Sequence, residues 1–377
     1  MSQSENWSTH LQQFLVEGVA KGIPGISAAV VSNNEVLCSG VAGAANQLTG
    51  NPIRPDLLFG LGSITKTFIT VVILQLVEEG TLQLHHTVEQ VLGTVVRGVP
   101  NANSATIAQL LNHTSGIPSW EDDPVWIREG RGQSLDVGRI WGKHDTLAYI
   151  LCHQPLAASS KNYSYANTNY TLLGMMIETV TGHDVTSEIR ARIHRPLGLH
   201  DIYLEGFESL PTHRLHHRYH WATTAFRRDA GLAAPFSEIT SDQIDATGSN
   251  LSVEWTAGGI VASAVDLARH GAGLRNGRLL SAPSMEYLLQ WSPVRPGAQV
   301  GHGVFRWTYP DGLAVVGHDG NVLGFSAVLY WFEDVDIVVA AQCNVGSTHS
   351  GEVPISLNAV VKQPEVFNMV LHLARAA

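Results

Sequence analysis

The stretch GLGSITKTFIT, residues 60–70, places Ser63 and Lys66 three positions apart at the start of a strongly apolar run. Residues at i and i+3 share one face of a helix, so the serine hydroxyl and the lysine amine can meet if a helix begins near Ser63. A free serine is a poor nucleophile, and a solvated lysine with a pKa of about 10.4 is mostly protonated. Apolar neighbours would desolvate the amine and make it a base. The alternative is an ordinary helix cap followed by an exposed lysine.

The apolar run itself predicts a helix over residues 64–79 that Gly80 ends as a C-terminal cap. A helix that is apolar on all sides is buried. Before it, an amphipathic N-terminal helix is followed by two strand-like runs, GISAAVV and EVLCSGVAG. Ser32-Asn33-Asn34 joins the two runs, and asparagine tolerates the left-handed turn conformation, so a β-hairpin is predicted.

The rest of the chain separates into three regions. Residues from about 81 to 200 carry mainly helical signals, which predicts an α-rich region. Residues from about 201 to 254 are poorly periodic and rich in His and Arg, so we expect a long surface excursion. TAGGIVASAVDLARHGAGL, residues 256–274, predicts a return to helix. Four β-rich runs follow, GVFRWTY, LAVVGHD, FSAVLYWF and DIVVAAQC, and a closing helix begins at EVFNM.

Strands at both ends of the chain with helices between them predict one mostly antiparallel sheet that both ends build together. The fold class is therefore α+β, with a single domain over residues 1–377. Its α/β part spans about 1–80 and 255–377, and the α-rich part is inserted.

Composition restricts the partners. The net charge is −10 and the cationic residues are scattered, so no nucleic acid partner is expected. No apolar run approaches the length of a membrane span and no secretion signal begins the chain, so we expect no membrane partner and a cytoplasmic location. The chain has three cysteines, and their odd number and wide spacing favour reduced core thiols over a disulfide framework. They are Cys38, Cys152 and Cys343.

Metal and cofactor sites are not expected. The stretch THRLHHRYHW, residues 212–221, gathers four histidines, of which His216 and His220 could share a helical face as metal ligands. Arg214 and Arg218 would repel the ion, and no other zinc signature accompanies them. No phosphate-binding glycine motif occurs between a strand and a helix, so nucleotide binding is not indicated either.

Two further elements accompany Ser63 and Lys66: YAN at residues 165–167, just before an amphipathic run, and HDG at 318–320, within a β-rich region. In this order and spacing, the three elements resemble the serine β-lactamase and penicillin-binding-protein superfamily. The similar branch contains class C β-lactamases, D-alanyl-D-alanine carboxypeptidases, D-aminopeptidases and related esterases. Supporting segments extend the resemblance over most of the chain: LLNHTSGIP at 110–118, RPLGLHD at 195–201 and AGGIVASAVDLAR at 257–269.

The resemblance implies a β-lactamase/transpeptidase-like fold and a role for each residue of the first two elements. Ser63 is expected to attack the substrate carbonyl and become acylated, while Lys66 and Tyr165 share the proton transfers. Tyr165 is the candidate general base, although which of the two residues holds the proton stays open. Asn167 is expected to orient Lys66 and to contact the acyl side of the substrate.

The third element departs from the pattern of β-lactamases. His318 stands where β-lactamases of this branch carry a lysine, whereas some carboxypeptidases and aminopeptidases of the branch carry His-x-Gly. Gly320 is expected to let the substrate lie close to the strand, and the N–H groups of Ser63 and Asn321 to form the oxyanion hole. For Asp319 two hypotheses remain: its side chain holds His318 or a cationic substrate group, or it faces away.

The sequence therefore predicts a serine hydrolase that acts through a Ser63 acyl-enzyme on a small-molecule ester or amide. A carboxylesterase, an amidase and a D-aminopeptidase-like enzyme all fit. The alternatives are an acyltransferase, a D-alanyl-D-alanine carboxypeptidase or weak β-lactamase, and a sensor that captures a ligand without turnover. Tryptophans in and beside segments 119–146 and 201–254 are candidates for the wall of the acyl pocket. They are Trp120, Trp126, Trp141, Trp221 and Trp255.

Overall fold

Strands occur at both ends of the chain in the computed structural model, which describes residues 3–151, 153–157, 162–309, 312–363, 365–367 and 370–371. The strands are β1 (Gly25–Ser32), β2 (Glu35–Asn46), β3 (Asn51–Pro52), β4 (Phe59–Gly60), β5 (Ile202–Leu204), β6 (Tyr219–Trp221), β7 (Ser237–Thr240), β8 (Gln243–Asp245), β9 (Ile260–Ala262), β10 (Ser292–Arg295), β11 (Ala298–Val300), β12 (Phe305–Thr308), β13 (Ala314–Val322), β14 (Phe325–Phe332), β15 (Val338–Cys343) and β16 (Val345–Gly346).

The α-helices are α1 (Gln3–Ala20), α2 (Thr65–Glu78), α3 (Val88–Leu92), α4 (Ile107–Leu111), α5 (Pro124–Arg131), α6 (Asn167–Thr181), α7 (Val185–Ile189), α8 (Arg195–Leu197), α9 (Thr224–Asp229), α10 (Trp255–Gly258), α11 (Ala264–Arg275), α12 (Ala282–Leu288) and α13 (Leu357–Val361). Short 3₁₀ turns lie at Gly62–Ile64, Gly93–Val96, Trp120–Asp122, Asp145–Tyr149 and Thr212–Arg214, and a π turn at Arg190–His194. The named elements between residues 81 and 200 are all helical within the described residues, as the sequence predicts.

The main sheet joins the two ends of the chain. Its strand order is β10-β11-β12-β13-β14-β15-β1-β2-β3 within the described residues, and neighbouring strands run antiparallel. β1 pairs with β15 so that Ile26 faces Cys343, and the other edge of β1 pairs with β2. The predicted α+β class and the antiparallel sheet built from both ends are confirmed.

The turn residues and apolar runs of the sequence predicted the β1–β2 hairpin and helix α2 correctly. The hairpin between β1 and β2 turns at Asn33 and Asn34, whose φ angles are 49° and 64°. Helix α2 is buried along most of its length, and Gly80 follows it with a φ of 74°. Ile64, rather than Ser63, stands at the N-cap of α2, and it makes no side-chain capping bond. Ser63 is therefore not the ordinary helix cap that the alternative interpretation required.

The expected surface excursion over 201–254 is wrong. β6, β7 and β8 from this region form a second sheet with β16, and Tyr219 is fully buried in it. Arg218 is buried as well, where its guanidinium donates to Glu205 at 2.8 Å. The strands are three or four residues long, too short for a clear alternation, and the polar side chains are paired inside the protein. The sequence therefore looked like a loop although much of it is core.

The two helices predicted after residue 255 are only partly confirmed. The predicted helix over 256–274 is interrupted, because strand β9 separates α10 from α11. Of the closing helix, residues 365–367 and 370–371 are helical and the remainder lies outside the described residues. Cys38 and Cys343 are buried free thiols, as expected, whereas Cys152 lies outside the described residues. Within the described part of the chain, no helix has both the length and the apolarity to cross a bilayer.

Candidate active site

The 3₁₀ turn that carries Ser63 lies directly against strand β13. Gly62 has a φ of +54°, and a Cβ atom there would stand 2.5 Å from the Asn321 nitrogen. A Cβ atom on Gly320 would stand 1.8 Å from the Leu61 carbonyl oxygen. Only residues without a side chain allow so close an approach of two backbones. The two glycines therefore bring Ser63 beside Asn321, as the predicted oxyanion hole requires.

Lys66 projects from the first turn of α2 into a fully buried position. Its Nζ lies 3.0 Å from Ser63 Oγ and 2.7 Å from both Asn167 Oδ1 and the Ala257 carbonyl oxygen. Loss of solvation lowers its pKa from 10.5 to about 7, although nearby carboxylates act in the opposite direction. A neutral amine has two N–H donors and one lone pair. With both donors on the two carbonyl oxygens, the lone pair is directed at the Ser63 hydroxyl.

Tyr165 precedes α6 and completes a trio of side chains with Ser63 and Lys66. Its hydroxyl donates to Ser63 Oγ at 2.7 Å, and Lys66 Nζ lies 5.0 Å from the centre of its ring. Desolvation raises the pKa of the phenol well above 10, and the hydrogen bond to Ser63 offsets this only in part. Burial therefore favours the neutral phenol. Whether Tyr165 or Lys66 accepts the Ser63 proton stays a prediction.

A buried charge network supports Lys66 from behind. Asn167 receives the Lys66 hydrogen bond on Oδ1 and donates through Nδ2 to Glu121. The guanidinium of Arg131, which is 1% exposed, lies 2.5 Å from the Glu121 carboxylate and 2.8 Å from that of Glu254, and so bridges the two acids. Burial is the main reason that the pKa of Glu254 rises to about 7. Repulsion from Glu121 raises it further, whereas Arg131 and Lys66 act in the opposite direction. Sequence reasoning missed both glutamates and the arginine, since they belong to no local motif.

His318 lies in β13 at the border of the candidate site. Its ring packs edge-on against Phe305 at 5.1 Å and lies 6.4 Å from the Tyr165 ring. Nδ1 donates to the carbonyl oxygen of Asp319 at 2.5 Å, which fixes the tautomer with the proton on Nδ1. Desolvation, and then the Lys66 charge, lowers its pKa to about 3, so the imidazole is neutral at physiological pH.

The Asp319 side chain has partners of its own. Its carboxylate accepts from Lys362 at 2.7 Å and from Asn358 at 2.9 Å, and Tyr330 also donates to it. The hypothesis that this carboxylate holds His318 is wrong, because His318 bonds to the backbone of Asp319 instead. Lys362, which the sequence places far from the HDG element, is thus its cationic neighbour.

A cavity of about 430 Å³ opens over Ser63. Tyr163, Phe305 and Trp307 give it an aromatic wall, and Glu121 and Arg295 add charge. The complete lining is Ser63, Glu121, Tyr163, Tyr165, Val294, Arg295, Ala298, Phe305, Trp307, His318, Asp319, Gly320, Asn321, Thr348 and Asn358. The expected tryptophan wall is wrong, because all five of those tryptophans are buried in the core.

The four histidines of segment 212–221 do not converge. His216 packs on Phe59 with ring centres 4.4 Å apart, and His217 bonds to Asp245 at 2.6 Å. His220 lies 3.0 Å from the Thr348 carbonyl oxygen. Among the described residues, no group of three or more His, Cys, Asp or Glu side chains is arranged to hold a metal ion.

Comparison with known proteins defines the class to which this fold and site belong. The family model described as Beta-lactamase matches residues 11–359, so the chain belongs to the beta-lactamase family. Penicillin-binding protein 4 of Amycolatopsis lactamdurans is 28% identical over 366 residues, covering 92% of this chain and 88% of that protein. Esterase EstB of Burkholderia gladioli is 30% identical over 205 residues, covering 52% of this chain and 50% of that protein.

Solved structures agree with this membership. A D-stereospecific amidohydrolase from Streptomyces sp. superposes with a TM-score of 0.76 at 29% identity, covering 90% of this chain and 94% of that chain. D-amino acid amidase from Ochrobactrum anthropi SV3, in complex with D-phenylalanine, gives a TM-score of 0.82 and covers 98% and 99% of the two chains. At 24% identity this second likeness supports the fold alone. The resemblance inferred from the SITK, YAN and HDG elements is confirmed.

Proposed function

We propose that the protein is a serine hydrolase that transfers the acyl group of a small-molecule ester or amide to Ser63 and then to water. One observation carries the proposal: a fully buried lysine amine and a tyrosine hydroxyl both lie within hydrogen-bond reach of Ser63 Oγ, at 3.0 and 2.7 Å. A serine with a desolvated base on one side and a proton donor on the other is the arrangement that nucleophilic catalysis requires.

In acylation, Lys66 takes the Ser63 proton as Oγ bonds to the carbonyl carbon. The N–H groups of Ser63 and Asn321 stabilise the negative charge that develops on the carbonyl oxygen. Tyr165 then donates its phenolic proton to the leaving nitrogen or oxygen as that bond breaks, and Lys66 returns a proton to Tyr165. In deacylation, water replaces the leaving group: it gives a proton to the same pair, and Ser63 Oγ recovers one when it departs.

The cavity favours an acyl group that has an apolar side chain and a positive charge. The aromatic wall of Tyr163, Phe305 and Trp307 suits an apolar side chain. Glu121, 19% exposed, presents a carboxylate close to Ser63 and attracts a cationic amine. The structural neighbour at 29% identity is named as a D-stereospecific amidohydrolase. Amides and esters of aromatic D-amino acids are therefore the first substrates to test.

The test has two parts, covalent labelling and turnover. A fluorophosphonate probe should label the protein, and mass spectrometry should find the label on Ser63. The Ser63→Ala variant should lose labelling, while Ser104→Ala, which changes an exposed serine, should keep it. Hydrolysis of p-nitrophenyl acetate and of D- and L-phenylalanine amide measures turnover. Labelling without turnover would support the ligand-capturing sensor, and absence of both would remove Ser63 as the nucleophile.

The partition of the acyl group separates hydrolysis from acyl transfer. Adding an alcohol or an amine during turnover should leave the free acid as the main product if water is the acceptor. A transferred ester or amide as the main product would establish the acyltransferase instead.

A second candidate, a carboxypeptidase-type reaction, is favoured by Arg295. This side chain is exposed, lines the cavity, and makes no hydrogen bond or ion pair within the described residues. A free guanidinium is suited to bind the carboxylate of a peptide substrate in a bidentate manner. Arg295→Gln should then lower kcat/KM about tenfold for a D-Ala-D-Ala peptide, the loss of about 1.4 kcal/mol of binding. The same peptide as its C-terminal amide is the control, and equal losses for both would remove this candidate.

A further inference from the structure

His113 holds the backbone on both sides of Tyr165. Its carbonyl oxygen accepts from the Ser164 N–H at 2.8 Å, and its ring Nδ1 accepts from the Ala166 N–H at 3.2 Å. Residues 163–166 belong to no regular element, so these bonds replace the ladder or helix bonds that would otherwise fix them. The backbone on both sides of the candidate catalytic tyrosine is therefore bonded to one residue from another part of the chain.

The imidazole also supports the phenol ring directly. The His113 and Tyr165 rings are stacked, with centres 4.2 Å apart and planes inclined by 28°. His113 is 1% exposed, so the contact is shielded from water. Its φ of +60° lies in the left-handed region, which a histidine adopts at some cost. The surrounding fold holds the residue in an unfavourable backbone conformation that turns the ring beneath Tyr165.

The hydrogen bonds define the protonation state of this ring. Nδ1 receives the Ala166 N–H and lies 3.3 Å from the Asn169 amide nitrogen. The Asn169 oxygen accepts from Ser115, which turns the amide nitrogen toward His113. With two donors directed at it, Nδ1 must be an acceptor, so the ring is neutral and its proton is on Nε2. Burial, and then the Lys66 charge, lowers its pKa well below 6.5, in agreement with this state.

We propose that His113 is a positioning residue that holds the Tyr165 hydroxyl at hydrogen-bonding distance from Ser63. The inference rests on the proposed function, because it assigns His113 an effect only through the phenol of Tyr165. Errors of about 1 Å in the placement of a reacting group can cost about 100-fold in rate. A neutral ring fulfils this role without adding a positive charge that would act on Lys66.

A double-mutant cycle tests whether His113 acts through Tyr165. The substitution is His113→Asn, since asparagine tolerates positive φ and keeps an acceptor but removes the ring. We expect kcat/KM for D-phenylalanine amide, whose leaving nitrogen needs a proton from Tyr165, to fall about 10- to 100-fold in the wild-type background. In the Tyr165→Phe background, which has no hydroxyl left to misplace, the same change should cost less than about threefold. Active-site titration with the fluorophosphonate corrects each rate for the fraction of folded protein.

A matched control separates positioning from packing. His302 is also a buried histidine stacked on a tyrosine, with ring centres 4.0 Å apart and an interplanar angle of 22° against Tyr287. That pair lies outside the cavity lining. His302→Asn should lower the melting temperature to a similar degree as His113→Asn but leave kcat/KM within about threefold.

The possible outcomes distinguish this inference from the proposed function. Equal losses of rate for His113→Asn in both backgrounds, or a loss of the same size for His302→Asn, would overturn the positioning role while leaving Ser63 chemistry intact. Near-normal rates for Tyr165→Phe alone would remove Tyr165 from the proposed mechanism, and the positioning role with it. If His113→Asn fails to fold, His113→Phe, which keeps a ring but not the acceptor, enters the same cycle with the same criterion of non-additivity.

Discussion

The pH dependence of acylation should follow the amine of Lys66. A lysine with a pKa of 10.5 has about one neutral molecule in a thousand near pH 7.4, whereas a pKa of about 7 makes most of the population neutral. Burial therefore increases the competent fraction roughly 1000-fold at that pH. Because the base must be neutral, the rate should rise tenfold per pH unit below about 7 and level off above it.

The alkaline side of the profile follows from Tyr165. Its pKa is raised well above 10, so the proton that it must donate stays in place and no descending limb should occur between pH 7 and 9. His318 does not account for the acid limb, because its pKa is about 3. The Nδ1 of His113 accepts an N–H, so this ring stays neutral as well.

The assay is the second-order rate of fluorophosphonate labelling from pH 5 to 9, together with kcat/KM for p-nitrophenyl acetate. Lys66→Met should abolish fluorophosphonate labelling and with it the acid limb of the pH profile. Lys143→Met, which changes a lysine paired with Glu178 and Asp184, should retain both the labelling rate and the acid limb. A rate that still rises tenfold per pH unit up to pH 9, or a descending limb near neutrality, would refute the reasoning. The first result would mean a solvated lysine, and the second a required acid that loses its proton near neutrality, such as an imidazolium.

Three further outcomes follow from the contacts. Glu121→Gln removes the carboxylate that most raises the pKa of Lys66, so the acid limb in the labelling profile should move to lower pH; movement upward would contradict the network. Gly320→Ala places a Cβ atom against the backbone ahead of Ser63, so labelling should slow about 100-fold or more, and a near-normal rate would exclude the close approach. Lys362→Met leaves Asp319 underpaired, so urea unfolding at pH 7 should show a loss of about 1–3 kcal/mol that shrinks in acid, where protonation neutralises the carboxylate.

The sequence alone predicts the position of a residue correctly where a short local motif determines that position. Ser63 and Lys66 meet because helical periodicity brings residues three apart onto one face, and that relation can be read directly from the chain. The β1–β2 hairpin and the buried α2 helix follow from turn residues and apolar runs in the same way. Tyr165 could be connected with Ser63 only through the family resemblance, since 102 positions separate the two residues.

The supporting contacts could not be predicted because each joins distant segments without a pattern of its own. Arg131 bonds to Glu254 across 123 positions, and Lys362 meets Asp319 across 43. The prediction for region 201–254 is wrong for a related reason: its His and Arg side chains suggest a solvated surface unless their buried partners are known. Pairing rather than hydrophobicity makes these residues part of the core.

The identity of the base illustrates the difference between motif and environment. The family pattern placed Lys66 and Tyr165 together but left the proton unassigned, because a pKa depends on solvation and charge in the folded state. In the structure, burial acts on both groups in the same direction, toward the neutral form. For Lys66 the neutral form is a base, and for Tyr165 it is an acid. In the proposed mechanism, one desolvated pocket thus prepares a proton acceptor and a proton donor, both within hydrogen-bond reach of Ser63.

That pocket also holds two carboxylates, which by themselves would draw Lys66 back to the cationic form. Glu121 and Glu254 both raise its pKa, yet Arg131 bonds to each of them. A guanidinium shared between two acids reduces their field at the amine, because its charge stays positive at any pH at which the protein is folded. Arg131 does not line the cavity, yet its charge opposes that of the two acids that raise the pKa of Lys66. In the proposed mechanism, Ser63 is therefore activated by burial of the Lys66 amine together with pairing of the two acids behind it.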